Sequence, residues 1–287
     1  MDRPLALVAG GSGGIGSAIC HALACDGFDV ALTYRHNAEA ASQSADGVRS
    51  AGAEASVHQL DLTDADATAA LVERMPRLDT VVYAAGPPIP MGYTAQITPQ
   101  QFAHQLSADA VACFNLLRPS IQPLRVSRGS IVALVTTALL RYATRDLLSA
   151  CPKAAVEQLV RAIAAEEGKN GVRANCVGVG VIAAGILDDL IASGDYHEQA
   201  LEAARRAIPM RRFGSAAELA VDRRVIPPGC PSCNSATGGP RCRSTGWAWR
   251  CPVDRRVIPP GCPSCNSATG GPRCRSTGWA WRCLPAR

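Results

Sequence analysis

The sequence predicts an α/β fold, a parallel sheet wound with helices on both faces, built by residues 1–220 and followed by an unrelated tail. Three observations predict it. Short apolar runs alternate with amphipathic segments throughout residues 1–220, the pattern of a parallel sheet with crossover helices. Glycines at 10, 11, 13, 14 and 16 fill the junction between the first run and the first amphipathic segment. The composition changes abruptly near Ala220.

Taken in order, Leu5 to Ala9 is short and apolar enough for a buried strand. The turn that follows has the spacing Gly10-x-x-x-Gly14-x-Gly16, and Ile15, Ile19, Ala22 and Leu23 then recur as on a helix that stops near Gly27. Strand, glycine turn and helix together hold a phosphate. Glycine lets the backbone approach the anion, and the free N–H groups of Ser12 to Gly16 at the helix N-terminus face its charge. Phe28 to Tyr34 reads as a second strand ending at Arg35. A cation at that strand end meets an adenosine ribose and favours an added phosphate, so NADP(H) is favoured over NAD(H).

A helix is expected over Ala38 to Arg49, a third strand over Ala55 to Leu60, and Asp61-Leu62 at its end. The Asp61 carboxylate either accepts a bond from an adenine amino group or caps its own loop. A helix from Thr63 through Met75 precedes a fourth strand, Asp79 to Ala84, which closes on Ala84-Ala85-Gly86. Thr98-Pro99 begins a helix that continues through Leu117. Ser130 to Val135 is a fifth strand ending in Thr136, Pro152 to Glu167 a helix with an apolar stripe, and Val172 to Val179 a sixth strand. In a Rossmann-type sheet ligands bind at the carboxyl ends of strands. Residues 10–16, 35, 61, 84–86, 136 and 178–182, with Gly180 and Ile182 among them, fall at those ends.

At 287 residues the chain can bury one large core. The N-terminus lacks an apolar leader, and the longest mostly apolar run, Ala174 to Leu187, is too short for a bilayer, so a soluble cytoplasmic protein is expected, with no membrane partner. The net charge of +5 is a tail property. Residues 221–287 hold eleven Arg and two Asp, whereas residues 1–220 are net acidic at −4.

Residues 5–220 resemble the short-chain dehydrogenases/reductases, especially the 3-oxoacyl-acyl carrier protein reductase branch. The turn matches the family's T-G-x-x-x-G-x-G with Ala9 in the Thr place. Asp61-Leu62 matches its adenine-binding pair, Tyr83-Ala84-Ala85-Gly86 stands where the family has N-N-A-G, and the run from Lys153 to Val177 follows its helix and next strand. The resemblance implies hydride transfer between a nicotinamide cofactor and a carbonyl, such as that of a 3-oxoacyl thioester. It implies a Tyr as proton donor, a Lys four residues on that binds the nicotinamide ribose, a Ser that holds the substrate oxygen and an Asn that anchors a water relay. Mapped onto this chain, those positions are Ser149, Lys153, Thr136 and Asp109. Ser149 is the serious departure, because an alkyl hydroxyl is a weaker and shorter acid than a phenol, and general acid help is worth about 100- to 10,000-fold. Three readings stay open. The chain is an impaired reductase, a nucleotide-binding remnant without turnover, or similar to the 2,4-dienoyl-CoA reductases, with Tyr142 as a displaced acid.

The tail replaces the family's last helix end and final strand. Val221 to Cys251 recurs unchanged as Val253 to Cys283. The unit has Arg without Lys and no amphipathic period, as GC-rich coding sequence gives when read out of frame, so it is read as frameshifted, duplicated in tandem and disordered. Each copy offers four thiols, for example Cys230, Cys233, Cys242 and Cys251, but without knuckle spacing, so no metal is expected. Nucleic acid is not an expected partner. Loss of the final strand predicts a bare edge at the sixth strand and an impaired version of the self-association the family implies.

Overall fold

In the computed structural model, which describes residues 3–185, 187, 191, 194, 198–221, 248–251, 276–277 and 280–281, six strands run parallel. They are β1 (Leu5–Ala9), β2 (Asp29–Tyr34), β3 (Ala55–Gln59), β4 (Thr80–Tyr83), β5 (Ser130–Thr136) and β6 (Arg173–Val179), in the spatial order β3-β2-β1-β4-β5-β6. The order reverses between β1 and β4, which opens a crevice at their carboxyl ends. The central strands are apolar without alternation because both faces are covered.

The two faces divide the core by strand parity. Leu7, Val81, Tyr83, Ile131 and Ala133 face α3 (Ala65–Glu73), α5 (Ala112–Ser127) and α6 (Leu147–Glu167). Ala6, Val8, Leu32, Val82 and Val132 face α1 (Gly14–Cys25), α2 (Ala38–Ser50) and α8 (Ala216–Val221). Helix α7 (Glu198–Ala207) follows the loop after β6. Asp79, 6% exposed, ties the entry to the sheet together: it accepts from the Leu5 N–H at 2.9 Å and from both forks of Arg77 at 2.7 Å.

Three expectations are corrected. The helix expected from Thr98 through Leu117 is divided into α4 (Pro99–Leu106), a π-helical turn over Ser107–Val111 and α5, so that Asp109 sits in the widened turn. Such turns are rare and frequently lie at functional sites. Helix α6 begins at Leu147, not at Pro152, which lies inside it. Burial of Leu148, Ser149 and Ala150 outweighs the one hydrogen bond the ring removes. The sixth strand is not a bare edge, because β7 (Ala248–Cys251) pairs antiparallel with it from Cys176 to Val179. A segment rich in Trp suits a strand whatever its origin, and its backbone satisfies the edge regardless of its side chains. The tail also contributes the short pair β8 (Ser276–Thr277) and β9 (Ala280–Trp281). The expected disorder of the rest of the tail, and the thiols Cys230, Cys233 and Cys242, lie outside the described residues. No helix among the described residues is long and apolar enough to cross a membrane.

Arg125 and Glu167 join the far ends of α5 and α6 through two hydrogen bonds of 2.6 and 2.7 Å. Those bonds, with a third from Asn170, hold the Glu167 carboxyl down at about 2. Its folded value is depressed, so its contribution to stability is complete above the ordinary carboxylate range and disappears as pH falls through about 2. Glu167→Gln should therefore flatten the loss of melting temperature between pH 5 and pH 2 relative to the parent. Parallel curves would exclude this role.

Candidate active site

The glycine turn lies in the crevice between β1 and β4. Gly10 adopts φ +79°, and a Cβ there would stand 2.7 Å from the Ala85 Cα. A Cβ on Gly16 would meet the Gly10 carbonyl oxygen at 2.1 Å, so the first turn of α1 is folded back onto the strand end. The Gly11 N–H donates to the Thr33 carbonyl (3.0 Å) and the Gly13 N–H to that of Gly10 (3.1 Å). The first bond of α1 runs from the Ser17 N–H to the Gly13 carbonyl at 2.8 Å. The N–H groups of Gly14, Ile15 and Gly16 precede it and have no intrahelical partner, and Gly13 supplies no side-chain cap. This cradle fits the pyrophosphate of a dinucleotide. The loop after β6 closes on it: a Cβ on Gly14 would lie 3.1 Å from that of Ala184. In that loop Ile182 is buried and bridges to Gly214, and Gly180 is half-buried at the strand end.

Just beyond the ends of β2 and β3, Arg35 and Asp61 meet each other at 2.9 Å, both about half exposed. The other Asp61 oxygen accepts from the Thr63 N–H (3.0 Å) and hydroxyl (2.7 Å), and these bonds, ahead of Arg35, hold its carboxyl below the usual range. Local capping, one of the two readings of Asp61, is thus present in the structure. Leu62 is buried, and its carbonyl is latched by the Asn115 amide at 3.0 Å.

The floor of the crevice is a buried polar cluster. Lys153 Nζ donates to Asp109 Oδ1 at 2.9 Å and to the Ala85 carbonyl at 3.2 Å. The Tyr83 hydroxyl donates to the Asp109 backbone oxygen and to Oδ1, both at 2.9 Å. The ammonium also lies over the Tyr83 ring, 5.1 Å from its centre. Tyr83 is fully buried, which together with the Asp109 charge holds its phenol well above its ordinary range. Of this cluster the sequence had picked out Lys153 and Asp109. Tyr83 enters the sequence reading only as the first residue of the Tyr83-Ala84-Ala85-Gly86 match, with no role of its own.

The sequence model of the family described as enoyl-(acyl carrier protein) reductase matches residues 9–221. A solved short-chain dehydrogenase/reductase family protein is 30% identical, with a TM-score of 0.66 over 76% of this chain and 86% of its own. The chain belongs to the short-chain dehydrogenase/reductase family. Versicolorin reductase stcU of Emericella nidulans is 29% identical over 230 residues, covering 77% of this chain and 87% of the relative. A 3-oxoacyl-[acyl-carrier-protein] reductase of Aggregatibacter actinomycetemcomitans is 30% identical over 220 residues, 75% and 87% of the two chains. Levodione reductase superposes with a TM-score of 0.71 at 25% identity, over 76% and 87%.

In this short-chain dehydrogenase/reductase the remaining candidate positions lie on or beside β4, β5 and α6. Ser149, one helical turn before Lys153, is 9% exposed on α6. Thr136 ends β5, and its hydroxyl oxygen accepts from the Ala138 N–H at 3.1 Å, which leaves the hydroxyl proton free to donate. Ala84 is tied to the Ala9 carbonyl, and Gly86 is exposed beyond it. Tyr142, the displaced-acid candidate, stands 55% exposed on the connection from β5 to α6. Asp146, three residues before Ser149, was not singled out in the sequence.

Proposed function

We propose that this protein reduces a carbonyl group of a small-molecule or acyl-thioester substrate with NADPH, in a site formed by Thr136, Ser149 and Lys153. The observation that carries the reading is Lys153. Its ammonium is held at the end of β4, beside the glycine cradle, with two of its three protons engaged on Asp109 and Ala85. The third proton suits a ribose hydroxyl. A bound nicotinamide cofactor would supply the hydride. Thr136 would donate to the substrate oxygen, and Ser149 would give it a proton. Solved structures of the same fold include xylitol dehydrogenase bound to NAD+ and an actinorhodin polyketide ketoreductase variant with NADPH. Their resemblance supports a dinucleotide without choosing between the two.

Arg35 favours NADP(H). Its guanidinium is exposed enough to leave Asp61 for a ribose phosphate. Charge-assisted hydrogen bonds of about 1.5–3 kcal/mol predict that Arg35→Ser weakens NADPH binding about 10- to 100-fold while changing NADH binding little. Fluorescence titration with both cofactors tests this, and equal losses for the two would assign Arg35 to the fold instead. Turnover is tested by following NADPH consumption with 3-oxoacyl thioesters, simple ketones and dienoyl-CoA.

A second reading, a nucleotide-binding protein without turnover, is favoured by one observation. The Asp109 carboxylate compensates the Lys153 charge that would otherwise acidify a neighbouring hydroxyl. Saturable NADPH binding with no consumption on any of these substrates would select it.

A further inference from the structure

Tyr83 is the last residue of β4, and its side chain is fully buried in the core that β4 shares with α5 and α6. Its hydroxyl crosses to the π-helical turn over Ser107–Val111 and meets Asp109 twice, at the backbone oxygen and at Oδ1, both at 2.9 Å. The same Oδ1 accepts from Lys153 Nζ at 2.9 Å. A single carboxylate oxygen therefore stands between a phenol and an ammonium. The ammonium also rests over the face of that phenol ring. Tyr83 thus reaches Lys153 by two routes, directly through its ring and through Asp109.

A lysine needs such support. Its stem is flexible and its ammonium is a point charge, so the side chain alone sets no direction for its protons. Asp109 can aim that ammonium only if its own carboxylate is held still. The Tyr83 hydroxyl does this by bonding the side-chain and backbone oxygens of Asp109 together, from a ring fixed by core packing. Tyr83 and Asp109 are also two of the positions at which this chain departs from the family pattern, and they satisfy each other. A buried hydroxyl needs an acceptor and a buried carboxylate needs donors.

Tyr83 is not the acid in whose place Ser149 stands. It is sealed from solvent and its proton is engaged on Asp109. Burial and the Asp109 charge hold the phenol well above its ordinary range, so it remains a donor and its hold on Asp109 does not lapse near neutral pH.

We propose that Tyr83 is the positioning residue for the nicotinamide ribose of the cofactor: it locks Asp109, and Asp109 aims the Lys153 ammonium. The inference rests on the assignment of Lys153 to that ribose above. Tyr83 touches no part of the cofactor and acts only through Lys153.

Isothermal titration of the full chain with two ligands tests this. One is NADPH. The other is 2′-phospho-ADP, which carries the adenosine and the pyrophosphate but no nicotinamide ribose. Tyr83→Phe keeps the ring and removes the hydroxyl. It should weaken NADPH binding about tenfold, the lower end of what a hydrogen bond to a charged group contributes, and leave 2′-phospho-ADP binding unchanged. Lys153→Met should weaken NADPH binding at least as much. Adding Tyr83→Phe to Lys153→Met should have no further effect, because the group that Tyr83 positions is gone. A Tyr83 that merely shapes the crevice would weaken both ligands together, or would add its loss to that of Lys153→Met. Either result would overturn the inference, as would wild-type NADPH affinity in Tyr83→Phe or failure of that variant to fold. Wild-type NADPH affinity in Lys153→Met would instead remove the assignment of Lys153 to the ribose, and the inference with it.

Discussion

Gly16→Ala is expected to abolish measurable NADPH binding and to lower the melting temperature. The new methyl carbon would have to occupy a point 2.1 Å from the Gly10 carbonyl oxygen, a backbone atom that cannot swing away as a side chain would. Gly10 cannot retreat either, because its own α-carbon is packed against the backbone of Ala85 at the end of β4. The first turn of α1 must therefore shift, and with it the amides of Gly14, Ile15 and Gly16 that fit a pyrophosphate. Overpacking of this kind costs about 1–3 kcal/mol of stability. The expected signature is a folded, somewhat less stable protein whose NADPH affinity has fallen at least about 100-fold. Gly47→Ala serves as the control, because nothing lies within 4 Å of the position a Cβ would take on that helical glycine. Unchanged NADPH affinity in Gly16→Ala would show that the turn does not grip the cofactor.

The largest effect on stability is expected at Asp109. Its side chain is 4% exposed, and its partner Lys153 is 13% exposed. Asp109→Leu would leave an ammonium in the floor of the crevice with the Ala85 carbonyl as its remaining hydrogen-bond acceptor among the described residues, and would remove the side-chain acceptor of the Tyr83 hydroxyl. Removing one member of a buried ion pair costs about 3–5 kcal/mol, because the other is stranded. That corresponds to a melting temperature lower by roughly 6–20 °C. In Asp109→Asn an oxygen still accepts from both donors, so the loss should be distinctly smaller. The double variant Asp109→Leu with Lys153→Met should recover much of the stability, since a matched apolar pair replaces the charges. If the double variant is no more stable than Asp109→Leu alone, the pair is not what makes Asp109 important.

How much of this was legible in the chain follows from what each signal depends on. The sheet was legible because a strand covered on both faces must be apolar throughout, as in Leu5 to Ala9 and Ser130 to Val135. The phosphate turn was legible because its geometry depends on missing side chains at fixed spacing, a local property. The meeting of Asp109 with Tyr83 and Lys153 was not, since it joins a helix turn to residues 26 and 44 positions away. The π-helical turn that contains Asp109 leaves no periodicity of its own in an otherwise helical stretch. The start of α6 was not legible, because Pro152 reads as a first-turn residue. Starting α6 at Pro152 puts Asp146 and Ser149 in a loop, where their spacing means nothing. Starting it at Leu147 lines them up with Lys153. β7 was not foreseen because composition argues about side chains, whereas a sheet edge asks only for an extended backbone.

Everything proposed for this chain depends on a crevice built for a dinucleotide, with main-chain amides as the grip. Isothermal titration of the full chain with NADPH, with circular dichroism on the same sample, tests it most directly. The expected result is saturable one-to-one binding in the micromolar range, weaker for NADH, by a protein with mixed helix and strand signal. A protein with that signal and no heat of binding for either cofactor would contradict it.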